Sequence, residues 1–278
     1  MAINKKLIHF NKKEDFEREV ANGNILDRSI VFIKDTKEIY THGTIYGSDS
    51  MKWSNLQTDM EFVDLGFNVY WASCNLGATK PEEIGLFYAW GETEGYMYDE
   101  TGKNLLDANG NPTTRKFSES YYKWIDYSTD PETILKYNTD FRGIYGGTID
   151  YKFELDPEDD AASITCYGTR IPNHTDFGYI KAFTTQTKEV LNGVDVIKVT
   201  SNINGNSIYF PIASIKNIDT YYWTNCVNSN SPGSAYCTEA LNYKSVINIG
   251  EYGTQFSSGS YYRYAGCLIR PVLDKFKK

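Results

Sequence analysis

Few of the side chains that usually carry out catalysis are placed where they could work together. The chain has three histidines, His9, His42 and His174, of which two lie in the first fifty residues. A Ser-His-Asp or Cys-His arrangement would therefore depend on His174, and no G-x-S-x-G motif provides a nucleophile. A P-loop, a G-x-G-x-x-G loop and an H-E-x-x-H motif are also missing from the sequence. The sequence predicts no catalytic residues and no enzyme.

Neighbouring carboxylates are the remaining source of acid–base chemistry. Glu82 and Glu83 form one pair, and Glu92 and Glu94 form another. Both pairs lie in segments with turn character, where adjacent acids are more often solvent-facing charges than a general acid and base. We therefore do not expect them to be catalytic.

Acidic segments also raise the question of a metal ion. Asp156 is predicted to cap a helix with Pro157 at its first position, because the carboxylates of residues 158–160 favour the first turn of a helix. The same carboxylates could instead hold Ca²⁺, which prefers oxygen ligands. The run DANGN at residues 107–111 has the alternating oxygen ligands of a calcium loop, but Pro112 and Ser118 occupy the positions where that loop needs Gly and Glu, so the run is interpreted as a turn. We predict no metal site and no cofactor, with Ca²⁺ kept as the alternative.

Residues 221–272 are rich in side chains suited to contact rather than catalysis. Their two ends, YYWTNC and GCLIRPV, have the pattern of core strands, and the middle is rich in Tyr, Ser, Asn and Gly. This composition combines rigid aromatic contact area with adaptable hydrogen bonding. Arg270 is expected at the core end of the last strand, paired with a carboxylate. The candidate ligand-binding residues are Tyr221, Asn225, Asn228, Asn230, Tyr236, Tyr243, Tyr252, Tyr261, Tyr262 and Tyr264.

The first part of the chain has the pattern of a small α/β module. Residues 1–47 predict a strand at LIHF, a helix over KKEDFEREVAN that stops at Gly23, and a hairpin of SIVFI and EIYTHG around a turn at Asp35 to Lys37. Such a short module has a small core of its own. We therefore expect it to self-associate or to dock on another protein, and we place a linker at residues 48–59.

Residues 60–278 predict a larger α+β domain with two helices and short, irregular β-sheets. Two short strands flank Gly66, and IGLFYAWGETEG predicts another strand. Asn173 or Thr175 is expected to cap the second helix, and Asn204-Gly205 to close a hairpin of VIKVTS and SIYFPI. This domain has to position the candidate binding residues.

Composition excludes several functional classes. The net charge is −8 with acidic residues spread along the chain, so a basic footprint for nucleic acid is missing. No apolar run approaches 18 residues. The first residues lack a secretory signal pattern, so we expect synthesis in a cytoplasm and no insertion into a membrane. Five scattered cysteines without a C-x-x-C pair are expected to be free thiols.

Seven segments in order carry a resemblance to a known family. The chain resembles the Fibrobacter major paralogous domain, common in Bacteroidetes and their phages, from Glu61 to Val272. The segments are VDLGFNVYWASCNLGATKPEEIGLFYAWGE, YYKW, LDPEDDAA, TRIPN, GNSIYFPIA, YYWTN and CLIRPV. The family's W-R-M-P-T landmark is here TRIPN, with Thr169 in place of Trp.

The resemblance implies a C-type lectin-like fold, in the branch that includes formylglycine-generating enzymes and variable proteins diversified by retroelements. In those variable proteins the ligand-contacting residues lie near the C-terminus. The catalytic cysteine pair of the formylglycine enzymes has no matching motif here. Residues 1–47 are similar to N-terminal segments of tail-fibre proteins from phages of gut Bacteroidetes.

These expectations combine into one leading interpretation. The protein is predicted to be a phage tail-fibre or tail-tip receptor-binding protein, assembled into the virion in the host cytoplasm. It would attach to other virion proteins through residues 1–47 as a homo-oligomer and bind a bacterial surface glycan or protein. The alternatives are an enzyme on the same fold, cleaving glycans or modifying proteins, and a purely structural virion component.

Overall fold

The computed structural model of the protein describes residues 7–21, 30–34, 38–41, 44–46, 60–166, 168–213, 220–240 and 256–275. The chain divides into two compact units. One unit comprises Met1–Leu56 with Phe276–Lys278, and the other comprises Gln57–Lys275. The predicted linker at residues 48–59 lies outside the described residues.

The first unit contains one helix and four strands in its described part. The helix packs Phe16, which is 2% exposed, and Val31 and Ile33 of the second strand are also buried. The strand order is β1-β2-β3-β4, with β1 and β2 parallel and the other neighbours antiparallel. The predicted strand, helix and hairpin are confirmed, whereas β4 was not predicted. The elements are β1 Leu7–Phe10, α1 Lys13–Ala21, β2 Ile30–Ile33, β3 Glu38–Thr41 and β4 Thr44–Tyr46.

Two predicted boundaries of this unit, the turn at Asp35 to Lys37 and the helix stop at Gly23, lie outside the described residues. Of the predicted strand EIYTHG, residues 38–41 form β3, and the last two residues lie outside the described residues. Thr41 of β3 pairs with Thr44 of β4.

The second unit is α+β, as predicted, with short strands and two α-helices in its described part. Its first strands are β5 Phe62–Asp64, β6 Val69–Ala72, β7 Met97–Tyr98, β8 Leu105–Leu106, β9 Ile125–Asp126 and β10 Thr133–Ile134. Its middle comprises α2 Ala161–Thr165, β11 Thr169–Arg170, α3 His174–Phe183, β12 Thr184–Leu191, β13 Val194–Ser201 and β14 Ser207–Pro211. Its last strands are β15 Tyr221–Val227, β16 Ser234–Ala240, β17 Phe256–Tyr262 and β18 Val272–Asp274.

The end of the second unit returns to its beginning. The last strand, β18, lies between β11 and β6 in a four-stranded sheet of order β11-β18-β6-β5. Trp71 of β6 is fully buried and contacts Phe177 of α3 edge-on at 5.2 Å between ring centroids. The apolar face of α3 therefore covers this sheet, and the loops between β6 and β18 are held at both ends.

Helix α3 begins where the sequence predicts. Asn173 Oδ1 accepts a hydrogen bond from the backbone N–H of Asp176 at 2.9 Å, and the Asp176 carboxylate accepts one from the Asn173 N–H at 2.8 Å. This reciprocal pair is a capping box, which satisfies two backbone donors that the first turn leaves unpaired. Of the two residues predicted to cap this helix, Asn173 and Thr175, Asn173 is the cap.

The predicted start of α2 is wrong by four residues. Asp160, not Asp156, is the cap, because its carboxylate accepts hydrogen bonds from the N–H groups of Ala162 and Ser163. Its second oxygen accepts from the N–H of Ile171 at 2.8 Å and joins the helix start to the segment before α3. Burial raises the pKa of Asp160 to about 6, and these N–H donors act in the opposite direction.

Two predicted strand regions of the second unit have different outcomes. The hairpin of β13 and β14 is confirmed, and an unpredicted strand, β12, pairs with the other side of β13. The strand expected in IGLFYAWGETEG is reduced to isolated bridges from Phe87 to Tyr96 and from Tyr88 to Cys267. Within the described residues, no helix is long and apolar enough to cross a membrane.

Alanine substitutions at two glycines are expected to change stability in opposite directions. An added Cβ would meet open space at both Gly178 in α3 and Gly205 in the β13–β14 turn, but Gly205 has a φ of +79°. Gly178→Ala is expected to raise the free energy of unfolding by about 0.5–1 kcal/mol, because it removes backbone freedom from the unfolded chain. Gly205→Ala is expected to lower it by about 1–2 kcal/mol, because an L side chain is strained there. Urea unfolding measures the change in the free energy of unfolding for both variants. A change of the same sign in both would contradict the backbone conformations assigned to Gly178 and Gly205.

Candidate ligand-binding surface

Five tyrosine rings form a continuous row on the second unit. Tyr221 stacks on Tyr261 at 4.9 Å between ring centroids, and Tyr262 stacks on Tyr264 at 5.2 Å. Tyr261 and Tyr262 are 6.3 Å apart, and Tyr127 meets Tyr264 edge-on at 5.9 Å. We call Tyr221, Tyr261, Tyr262, Tyr264 and Tyr127 the tyrosine row.

The tyrosine row contains both exposed and half-buried rings. Tyr262 is 57% exposed and Tyr261 is 40% exposed, whereas Tyr221, Tyr264 and Tyr127 are half-buried. Stacked rings lose little freedom when a ligand binds, because their neighbours already hold them. An exposed aromatic ring in a fixed position is the kind of residue that supplies most of the energy at a binding interface.

A buried arginine holds the backbone beneath the row. Arg263 is fully buried although it follows Tyr262 directly in the chain. Its guanidinium donates hydrogen bonds to the carbonyl oxygens of Lys136 at 3.1 Å and Tyr137 at 2.7 Å, and lies 5.0 Å from the Trp90 ring centroid. Burial lowers the pKa of Arg263. The arginine therefore fixes the position of Tyr262 and Tyr264 from inside.

The loop between β15 and β16 holds two of the predicted asparagines. Asn228 Oδ1 accepts a hydrogen bond from the Asn230 N–H at 3.0 Å, and the Asn228 N–H donates to the Ser234 carbonyl at 3.0 Å. Arg142 donates to the carbonyl oxygen of Asn230. Asn228 is half-buried and Asn230 is exposed, so this compact loop presents one amide to solvent.

The other predicted residues are placed differently. Asn225 is only 6% exposed, and its backbone pairs with Pro172 and Leu155, so its burial removes it from the candidate surface. Tyr236 is half-buried with its ring 5.4 Å from that of His174, outside the tyrosine row. Tyr243 and Tyr252 lie outside the described residues. The structure thus brings together Tyr221, Tyr261, Tyr262 and Tyr264 of the predicted set.

Sequence reasoning missed two aromatic features. Tyr127 joins the row, although it lies far from the other four tyrosines in the sequence. Phe141, Tyr151 and Phe153 form a second exposed group, with centroids of Phe141 5.8 Å from Tyr151 and 6.3 Å from Phe153. Their exposed fractions are 59%, 65% and 42%. The only sequence signal was the density of aromatic residues in a glycine-rich segment.

The acidic cluster proposed for Ca²⁺ already surrounds a cation of the chain. Lys136 Nζ lies 2.8 Å from Asp156 and 3.8 Å from Glu158, and also binds Asp159, which is 5% exposed. Among the described residues, no group of three or more His, Cys, Asp and Glu side chains is arranged to hold a metal ion. The ammonium of Lys136 thus lies among Asp156, Glu158 and Asp159, whereas Asp160 caps α2.

Replacing Lys136 is expected to destabilise the protein more at neutral pH than at low pH. Hydrogen bonds from Lys136 and then from Lys152 hold the pKa of Asp156 below its ordinary value. Lys136→Met should lower the free energy of unfolding by roughly 2 kcal/mol at pH 7, because Asp156 and Asp159 both lose the ammonium that they share. The stabilisation by ionised Asp156 is present above its ordinary pKa and is lost as the pH falls through the lowered value. The difference between variant and wild type should therefore shrink below about pH 4.

The matched control for this prediction is Lys152→Met. The side chain of Lys152 is 43% exposed and pairs with the same Asp156. Its loss should change stability by less than about 0.5 kcal/mol. Guanidinium unfolding at pH 7 and pH 3 measures both variants, and a constant deficit for Lys136→Met would contradict the ionic explanation.

The carboxylates of Glu92, Glu83 and Glu82 form ion pairs or hydrogen bonds within the protein. Glu92 is 9% exposed and forms an ion pair with Arg115, so it is not the solvent-facing charge that the sequence suggested. Burial raises its pKa, and Arg115 opposes this shift. Glu83 accepts hydrogen bonds from Thr79 and Lys80, and Glu82 accepts one from Asn192.

A shallow cleft of about 210 Å³ lies away from these acids. It is lined by Gly66, Phe67, Asn68, Tyr179, Phe183 and Ile203. This lining contains no carboxylate, imidazole or thiol. The five cysteines are free, and all except the half-buried Cys226 are buried.

Arg270 lies in the core as predicted, but the carboxylate partner is wrong. It is fully buried and donates hydrogen bonds to Asn75 Oδ1 at 2.8 Å and to the carbonyl oxygens of Ala72 at 3.1 Å and Tyr209 at 2.7 Å. Its guanidinium also lies 4.6 Å from the Phe210 ring centroid. The side chain thus joins two segments, residues 72–75 and 209–210, to its own segment, which makes three parts of the chain.

Comparison with protein-family models, with curated proteins and with solved structures gave no match to this chain.

Proposed function

We propose that the second unit is a ligand-binding domain and that the tyrosine row is its contact surface. The observation that carries the proposal is the run of five touching tyrosine rings, of which Tyr261 and Tyr262 are 40% and 57% exposed. Contiguous exposed aromatic surface on a folded protein commonly marks an interaction site. Arg263 and the loop at residues 228–233 make this site rigid.

The wider role that we propose is receptor binding by a phage tail protein. The resemblance to the Fibrobacter major paralogous domain supports a C-type lectin-like fold for the second unit, and the observed α+β architecture with two helices is compatible with it. The first unit would attach the protein to other virion proteins and assemble it as a homo-oligomer. The ligand would be a bacterial surface glycan or protein.

We further propose that the protein binds its ligand without cleaving it. The buried ion pair of Glu92 with Arg115 and the apolar lining of the cleft support binding over acid–base catalysis. The exposed rings of Tyr261 and Tyr262 offer contact area to a ligand.

The test uses the purified full-length protein and a panel of Bacteroidetes strains. Fluorescently labelled protein should bind some strains saturably, and the unlabelled protein should compete. Incubation with polysaccharide from a bound strain should release no new reducing ends. Binding to no strain would contradict the receptor-binding role, and steady release of reducing ends would favour the enzyme alternative.

A further inference from the structure

The three-stranded sheet that carries three members of the tyrosine row is covered along one edge and open along the other. Its strand order is β15-β16-β17. On the outer side of β15, the Leu155 N–H donates to the Asn225 carbonyl at 3.0 Å, and the Trp223 N–H donates to the Leu268 carbonyl at 2.9 Å. In the described part of the chain, no strand pairs with the outer side of β17.

The hydrogen bonds at the end of β17 show which of its backbone groups point outward. In an antiparallel pair, residues that bond to the partner strand alternate with residues whose N–H and C=O groups point away from it. The Arg263 N–H donates to the Gly233 carbonyl at 3.2 Å, so these two residues bond across the strands. Ser234 follows the alternation, because its own backbone groups bond within the loop between β15 and β16. Tyr262, opposite Ser234, and Ser260, two residues before it, therefore direct their backbone groups away from β16.

Three backbone groups on this open edge have no backbone partner among the described residues. They are the N–H of Tyr262 and both the N–H and the C=O of Ser260. The Tyr262 carbonyl is already paired, because it accepts from the Ala265 N–H at 2.9 Å. Residues 259–262 are all exposed, and an added Cβ at Gly259 would meet nothing within 4 Å. Another chain can therefore approach this edge from solvent.

The edge of β17 lacks the features that usually prevent pairing with another chain. In the other larger sheets of the second unit, the described edge strands have such features. Strand β12 carries Lys188 and Glu189, β14 contains Pro211, and β5 and β11 have three and two residues. Charges, prolines and short length are the usual protection of edge strands. Strand β17 has seven residues, FSSGSYY, with neither a charge nor a proline.

From this geometry we propose that the ligand of the tyrosine row is a protein, an extended segment of which pairs with β17 as a fourth strand. This inference rests on the proposed function and names its ligand class. Outward groups recur about every 7 Å along a strand, and a second strand presents its own groups at the same spacing. Such pairing gives affinity through main-chain hydrogen bonds. Tyr261 and Tyr262 are consecutive, so their side chains leave opposite faces and the added segment would meet one exposed ring on each face.

Hydrogen–deuterium exchange of the full-length protein tests this pairing at single residues. The probe is cell-envelope vesicles from a strain that the protein binds. In the protein alone, the amides of Ser260 and Tyr262 should exchange at least about tenfold faster than that of Tyr261, which faces β16. Saturating vesicles should slow the exchange of Ser260 and Tyr262 by at least about tenfold. Proteinase K treatment of the vesicles should abolish this protection, and periodate oxidation of their glycans should leave it unchanged.

A pair of substitutions at Ser260 tests the same edge through cell binding. Ser260→Pro removes the outward N–H, and proline is tolerated on edge strands where the N–H faces solvent. It should weaken binding to cells by at least about tenfold, because the added strand loses its pairing site. Ser260→Ala keeps the N–H and should bind within about twofold of wild type. A thermal melt of each sample checks folding, and if the proline variant unfolds, the exchange measurement on the wild-type protein decides.

Four results would overturn the inference. Slow exchange at Ser260 in the protein alone would show that the edge is already covered, by another part of the chain or by a second copy. Unchanged exchange at Ser260 and Tyr262 in vesicle-bound protein would exclude the pairing, as would a folded Ser260→Pro variant that binds like wild type. Protection that survives proteinase K but is lost after periodate would assign the ligand to a glycan. In all four cases the protein still binds cells and the proposed function stands, whereas binding to no strain would contradict the proposed function itself.

Discussion

Arg270→Met is expected to lower the free energy of unfolding by about 3–5 kcal/mol, the largest effect that we predict for one substitution. The methionine has a similar length but cannot donate to Asn75, Ala72 and Tyr209, whose oxygens all accept from the arginine. Each buried acceptor left without a donor costs about 1–3 kcal/mol. Guanidinium unfolding followed by tryptophan fluorescence gives the difference directly.

The control is Arg142→Met, which makes the same chemical change at an exposed position. Arg142 donates to one carbonyl oxygen, that of Asn230, and its loss should cost less than about 0.5 kcal/mol. A variant at Arg270 that is as stable as the control would show that the three segments do not depend on the arginine. Asn75→Ala offers a second check, because it removes only one of the three acceptors and should cost less than Arg270→Met.

The second large effect concerns binding. Tyr261→Ala/Tyr262→Ala is expected to weaken binding to bacterial cells by about 30-fold or more, since interface hot spots contribute 2 kcal/mol or more. The two side chains are 40% and 57% exposed, so the stability of the variant should fall by less than about 1 kcal/mol. Equilibrium binding to a responsive strain, with a thermal melt of the same sample, separates binding from folding.

Two variants make this prediction specific. Tyr262→Phe keeps the ring and loses the hydroxyl, so it should bind within about threefold of wild type if ring contact dominates. Phe183→Ala removes an aromatic ring that is 46% exposed at the end of α3, outside the row, and should leave affinity unchanged. An equal loss for Phe183→Ala and the double tyrosine variant would contradict the assignment of the surface.

Local chemistry explains which parts of the fold could be predicted. Asn173 caps α3 with groups that lie within three residues of it, and the turn at Asn204-Gly205 depends on the φ of one glycine. Such signals are complete within a short stretch of sequence. The start of α2 is different, because Asp156 and Asp160 both suit a cap. In the structure Asp160 is the cap, and Asp156 instead pairs with Lys136, which is remote from it in the sequence.

The candidate site could also be predicted only in part. The richness of residues 221–272 in Tyr, Ser and Asn correctly indicated that Tyr261 and Tyr262 are exposed. It could not show that Asn225 is buried, because that burial comes with backbone pairing to Pro172 and Leu155. Tyr127 enters the row through a contact between remote segments, and nothing around it in the sequence indicates this. The partners of Arg270 are mostly backbone carbonyl oxygens, which leave no trace in side-chain patterns.

The most direct test of the account is photo-crosslinking from the tyrosine row. A benzoylphenylalanine placed at Tyr262 in the full-length protein should form covalent adducts with surface material when the protein is irradiated on cells that it binds. The same group at Phe183 should form few adducts. Adducts from position 183 and none from position 262, on cells that bind both proteins equally, would contradict the claim that the tyrosine row contacts the receptor.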